Sequence, residues 1–108
     1  MAPATELAGS HSNRWLTTVL LAPTDPEADA LMPAHTPETL RRHLETRNIE
    51  SRPLWKPLHL QPLFAAAPMY GGAVCEDLFA RGLCLPSGTA MGDSELRRVQ
   101  EALTEALG

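Results

Sequence analysis

Lys56 is the only lysine in this sequence of 108 residues, so any chemistry that needs a lysine amine would have to use it. A lysine can form a Schiff base with an aldehyde cofactor, but it must give up its proton first. Lys56 lies between Trp55 and Pro57 in a segment expected to be exposed, where nothing nearby supplies the burial that favours a neutral amine. The sequence therefore favours a cation that contacts an anion over a nucleophile.

His59 follows three residues later and is the best candidate among four histidines for proton transfer or phosphate contact. A lone histidine is more often structural, and that alternative stays open. Arg52 supplies a second cation at the start of the same segment, close to Trp55. These residue types indicate an anion-contacting surface, and no residue is singled out as catalytic.

The segment 52–64 carries these side chains on restrained backbone. Its three prolines fix φ and remove backbone donors, so we expect neither a helix nor a central strand but a stiff, extended segment. Each proline also favours extended backbone at the residue before it, which is Arg52, Lys56 or Gln61. Such a segment loses little entropy when it places side chains against a ligand or another chain. The alternative is an ordinary connecting loop with buried aromatic side chains.

Two cysteines, Cys75 and Cys84, are too few for a disulfide framework and lie in apolar surroundings, so we expect buried, unreactive thiols. A zinc site from both cysteines with His43 and His59 can be written down, but its spacing matches no known ligand pattern. We expect no metal. Glycine-rich phosphate loops, a HExxH pair and a serine elbow do not occur, so no motif by itself indicates an enzyme.

Length and composition restrict the class of protein. A chain of 108 residues forms one domain with a modest core, and 44% hydrophobic residues is ordinary for a soluble globular protein. No run of 18 apolar residues could cross a membrane, and a net charge of −4 argues against nucleic acid as a partner. The first ten residues lack the basic start and apolar core of a secretion signal, so we expect a cytoplasmic protein.

The remaining pattern predicts alternating strands and helices. We expect a disordered leader at 1–12 and one domain at 13–108, with a loop at 23–35. Strands are expected at 15–22, buried on both faces, and at 49–52 and 83–85. This order predicts an α/β or α+β fold in which about three helices cover a small three-stranded sheet.

The three helices have recognisable starts and stops. Thr36 caps the first, which should end at Asn48 and bury Leu40 and Leu44. The second spans 73–81 and stops at Gly82. The third begins near Gly92. The side chains expected to face inward from the second and third helices are Val74, Leu78, Phe79, Leu96, Val99, Leu103 and Leu107.

Three stretches carry a resemblance to a known family. They are SNRWLTT at 12–18, IESRPLWKPLHLQPLF at 49–64 and GGAVCEDLFARGLCLPSGT at 71–89. In this order they resemble the C-terminal part of the DegT/DnrJ/StrS family of pyridoxal phosphate-dependent sugar aminotransferases. The resemblance runs from about Ser12 to the end of the sequence.

The resemblance implies a fold-type I aminotransferase that moves an amino group from glutamate, through pyridoxal phosphate, onto a nucleotide-linked keto sugar for polysaccharide biosynthesis. Members of the family are homodimers with active sites at the subunit interface. Their large domain carries the Schiff-base lysine, the aspartate that pairs with the pyridine nitrogen and most phosphate contacts. This chain resembles only the small domain, and Lys56 corresponds to the lysine of the Trp-Lys-Pro motif, not to the Schiff-base lysine.

For this chain, the resemblance implies that Arg52, Lys56 and His59 line the mouth of the active site and meet substrate or the other subunit. The chain alone is expected to bind no cofactor and to be inactive without a large domain or second subunit. A non-catalytic protein-interaction module, including a homodimer, is the alternative. Independent chemistry at Lys56 and His59 is a third hypothesis.

Overall fold

The computed structural model describes residues 1–3, 6–13, 15–22 and 35–108. The expected loop at 23–35 lies outside these residues except for His35. The α-helices are α1 (Pro37–Thr46), α2 (Val74–Arg81) and α3 (Asp93–Leu107). The strands are β1 (Ala2–Pro3), β2 (Thr17–Leu20), β3 (Arg52–Pro53) and β4 (Gly82–Leu85). Among the helices in these ranges, none combines the length and hydropathy that crossing a bilayer requires.

The strands form one antiparallel sheet in the order β1-β2-β4-β3. Strand β4 pairs with β2 from Leu85 opposite Thr17 to Gly82 opposite Leu20. It pairs with β3 through Cys84 opposite Arg52. Antiparallel pairing with separate helices makes this an α+β fold, which confirms the predicted small sheet with three helices.

Strand β1 is an additional strand that we did not predict. It lies within residues 1–12, which we expected to be a disordered leader. Ala2 pairs with Leu20 and Pro3 with Val19. These two residues are therefore ordered as a strand, contrary to our expectation. Without β1, β2 would be an edge strand with unpaired backbone groups. Strand β1 pairs with some of these groups, and Pro3 is tolerated there because β1 is itself at the edge of the sheet. The division of the chain at residue 12 stays a prediction.

Helix α1 begins where its sequence predicts and ends at Thr46, two residues before the predicted Asn48. The Thr36 hydroxyl accepts a hydrogen bond from the Thr39 amide at 3.1 Å, and the Thr39 hydroxyl accepts one from the Thr36 amide at 3.0 Å. Pro37 occupies the first helical position, where a missing N–H costs nothing. Asn48 follows the last turn with φ of 53°, the left-handed conformation that asparagine tolerates.

The core lies where α1 and α3 pack together and α1 meets the sheet. As predicted, α1 buries Leu40 and Leu44. Helix α3 buries Ala102, while Val99, Leu103, Ala106 and Leu107 pack against the core. Leu96, which we expected on this face, is exposed because it lies in the first turn, before the part of α3 that packs inward.

Burial in the sheet differs from our prediction. We expected the first strand to be buried on both faces, but Thr17 is exposed and Val19 is buried. In β4, by contrast, all four residues are buried, because it is a central strand against which both α1 and α2 pack. Thr17 and Val19 lie on the same face of β2, so burial on that face increases along the strand from Thr17 to Val19.

Gly82 joins α2 to β4 without an intervening loop. Its backbone is extended, so it does not end the helix in the left-handed conformation that a C-terminal glycine often provides. Glycine is needed at this position because a side chain would not fit. A Cβ at this position would lie 1.9 Å from Leu54 Cδ1 and 2.5 Å from the carbonyl oxygen of Leu78.

Candidate functional site

The segment 52–64 is only partly extended. Arg52–Pro53 forms the edge strand β3, and Gln61 is extended with φ of −88° and ψ of 138°. Leu58–Leu60, between these two extended parts, forms a single 3₁₀ turn. Pro62–Phe64, directly after Gln61, forms a second one. Our prediction of a wholly extended segment was therefore wrong, since a proline at or just before the first position of a short turn sacrifices no hydrogen bond.

Arg52 is exposed at the edge of the sheet. Its Nε lies 2.8 Å and its Nη2 2.6 Å from Oε1 of Glu50. A surface pair of this kind is weak and exchanges readily with water, so the guanidinium can still meet an incoming anion.

Lys56 is exposed and has no ion-pair partner within the residues that the structure describes. Its carbonyl oxygen accepts a hydrogen bond from Nε2 of Gln61 at 3.0 Å. This bond ties the backbone at Lys56 to the start of the second 3₁₀ turn. The backbone is therefore held while the ammonium group stays in water.

His59 is more enclosed than the two cations, with 19% of its side chain exposed. Its Nε2 lies 2.7 Å from Oε1 of Glu76, in the first turn of α2. Sequence reasoning did not identify Glu76. The two residues are 17 positions apart, and no periodic pattern joins a proline-rich turn to a helix at that distance.

A cleft of about 410 Å³ opens beside Arg52. Trp15 and Trp55 belong to its lining, with their ring centroids 6.0 Å apart and their planes inclined by 32°. The described lining includes neither Lys56 nor His59. The structure thus places the three candidates on one segment but brings only Arg52 into this cleft.

The two cysteines differ from each other. Cys84 lines the cleft from β4 and is buried, as predicted, and its burial raises the pKa of the thiol, which disfavours the reactive thiolate. Cys75 is exposed on α2, which corrects our expectation that both would be buried. Within the described ranges, no three His, Cys, Asp or Glu side chains come together as a metal site.

The chain between β3 and β4 exposes many large apolar side chains. Leu63 is 85% and Tyr70 90% exposed. Val74, which we expected to face inward from α2, is 72% exposed, and Leu78 is also exposed, whereas Phe79 is half-buried. We call the exposed members of this set the 55–78 apolar side chains. They are Trp55, Leu58, Leu60, Leu63, Phe64, Met69, Tyr70, Val74 and Leu78.

The surroundings of Lys56 do not fit a Schiff-base site. Such a site needs an enclosed amine and an acidic group that holds the cofactor ring as an electron sink. Lys56 lies on the surface of the described part of the chain, so its amine is not enclosed. The arrangement can contact anions through Arg52 and Lys56, but it offers no site for a covalently held aldehyde cofactor.

Comparison with known proteins identifies the chain. The model of the DegT/DnrJ/EryC1/StrS aminotransferase family matches residues 4–104. The chain is 49% identical over 102 residues to the "Putative pyridoxal phosphate-dependent aminotransferase EpsN" of Bacillus subtilis (strain 168), covering 91% of this chain and 24% of EpsN. It is 32% identical over 68 residues to the GDP-perosamine synthase of Escherichia coli O157:H7, covering 63% of this chain and 18% of that protein.

The chain thus spans less than a quarter of the length of either relative. The family match nevertheless extends over nearly the whole chain and includes the elements from β2 into α3. The chain therefore belongs to the DegT/DnrJ/EryC1/StrS aminotransferase family.

Proposed function

We propose that this chain is the small domain of a pyridoxal phosphate-dependent sugar aminotransferase, which transfers an amino group from glutamate to a nucleotide-linked keto sugar. The match to the aminotransferase family over residues 4–104 carries this proposal. The names of the two relatives, a pyridoxal phosphate-dependent aminotransferase and a GDP-sugar synthase, support the cofactor and the substrate class.

The chain needs the rest of the enzyme, a large domain or a second subunit, to be active. Lys56 is the only lysine, and its exposed position on the proline segment does not suit Schiff-base chemistry. The relatives are more than four times as long as the part of them that this chain matches. The missing lysine and the acidic partner of the cofactor belong to that additional length in this proposal.

Arg52, Lys56 and His59 meet the substrate or the other subunit at the mouth of the completed active site. Two features support this role. Both cations are exposed on backbone that prolines and the Gln61 side chain restrain, so little entropy is lost when they contact an anion. The neighbouring 55–78 apolar side chains offer the kind of surface that another domain covers.

The same apolar side chains also favour the second candidate, a non-catalytic module that binds another protein or a second copy of itself. A monomer rarely exposes so many large apolar side chains on one short stretch of chain. In either version we place the protein in the cytoplasm, and its two unpaired cysteines support that compartment.

Reductive trapping tests whether the chain has cofactor chemistry of its own. The purified chain is mixed with pyridoxal phosphate, reduced with borohydride and measured by absorbance and intact mass. We expect only slow, substoichiometric labelling, as any exposed lysine amine gives, because nothing encloses Lys56.

Lys56→Arg is the control, since it keeps the charge and removes the only lysine amine. Labelling that remains in this variant comes from the N-terminus. A stoichiometric adduct on Lys56 whose formation is blocked by neither mild acid nor a competing amine would show independent cofactor chemistry and overturn the proposal.

A further inference from the structure

A hydrogen bond between the side chains of His59 and Glu76 links the proline segment to α2. Nε2 of His59 lies 2.7 Å from Oε1 of Glu76, and the two side chains are 19% and 44% exposed. The backbone hydrogen bonds of the 3₁₀ turns and of the turn after them, such as Ala67 N–H to the Phe64 carbonyl, stay within their own turns. Glu76 is therefore placed to fix the orientation of the imidazole ring.

Helix α2 is a firm support for this contact. At its other end, Nη1 of Arg81 donates to the carbonyl oxygen of Leu21 at 2.7 Å, and Asp77 holds the same guanidinium. The helix then runs directly into the buried strand β4 through Gly82. A carboxylate on α2 thus has a defined position relative to the sheet.

The chemistry of the pair determines which ring nitrogen is left for a ligand. An ionised carboxylate can only accept hydrogen bonds, so Nε2 of His59 must carry the proton that Glu76 accepts. Nδ1 has no hydrogen-bond partner among the described residues. In the neutral ring Nδ1 is an acceptor, and in the protonated ring it is a donor that can meet an anionic oxygen.

We propose that Glu76 is a positioning residue for His59: it holds Nε2–H toward α2, so that in the protonated ring Nδ1–H is left to donate to an oxyanion of the substrate, such as a phosphate or carboxylate. The inference rests on the proposed role of His59 at the site. It assigns a function to Glu76, a residue that the sequence pattern did not single out.

The first test measures the tautomer of His59 in the intact chain by ¹⁵N NMR of the histidine rings. We expect the Nε2–H form in the wild type at a pH where the ring is neutral. Glu76→Leu removes the acceptor and should give a mixture of tautomers, whereas Glu76→Gln, whose amide can accept or donate at the same reach, should give a preference for Nε2–H that is weaker than in the wild type. Glu101→Leu, at an exposed position of α3, is the matched control.

An unchanged tautomer in Glu76→Leu, or no preference in the wild type, would overturn the inference. This measurement needs neither cofactor nor substrate. Its outcome therefore tests the role of Glu76 even if the proposed aminotransferase function is wrong.

The second test separates positioning from a purely structural role. It uses a chimera in which this chain replaces the matching part of EpsN. Glu76→Leu should slow its glutamate-dependent reaction about tenfold, by analogy with the loss of a carboxylate that orients a metal-bound histidine. Glu76→Gln should restore most of the rate.

In a His59→Ala background, Glu76→Leu should cause no further loss, because the residue acts only through His59. An equal loss in both backgrounds would mean that Glu76 only stabilises the fold and would contradict the proposal.

Discussion

Leu44→Ala is expected to lower the free energy of unfolding by about 2–5 kcal/mol, because it leaves a cavity in a site that collapses poorly. Leu44 is 0% exposed and belongs to the core cluster with Leu83 and Ile49. The total stability of a small domain is about 5–15 kcal/mol, so this single change could remove much of it. Urea unfolding followed by circular dichroism measures the loss.

Leu7→Ala provides the matched control, since it removes the same atoms from an exposed leucine. We expect that variant to unfold at nearly the wild-type urea concentration. Equal effects of the two substitutions would show that α1 does not pack on the sheet as described.

Trp55→Ala is expected to affect the chimera with EpsN far more than it affects the isolated chain. In the chain, Trp55 is 63% exposed and its main described aromatic contact is Trp15, so we expect a loss of about 1 kcal/mol. In the chimera, a large domain would cover the ring, and truncation of a buried interface tryptophan typically costs about 2 kcal/mol or more. Thermal unfolding of both proteins gives the two values.

Sedimentation velocity of the isolated chain then separates the two candidate functions. A stable dimer that Trp55→Ala weakens would favour the interaction module. Equal and small effects of the substitution in the chain and in the chimera would contradict the docking of this surface on a large domain.

The elements that the sequence predicted well have local causes. Helix α1 follows from the Thr36 cap, Pro37 at the first position and the spacing of Leu40 and Leu44. Each of these signals acts within one or two turns of the chain. The α+β fold with its small sheet followed from the same kind of local information.

The features that sequence reasoning missed depend on contacts between distant residues. Glu76 meets His59 only because α2 folds back onto the proline segment. Val74 and Cys75 lie on a helix that looks amphipathic in sequence, yet the apolar face at its start is left uncovered. Local patterns predict an apolar face, but they do not say whether the covering partner belongs to the same chain.

The most direct test of the account is the glutamate-dependent half-reaction of bound pyridoxal phosphate, followed by absorbance in the chimera, in parent EpsN and in the isolated chain. The account predicts conversion of the cofactor in the chimera and in EpsN, and none in the isolated chain. Turnover by the isolated chain would contradict it. So would a chimera that folds and binds pyridoxal phosphate but stays inactive while EpsN reacts.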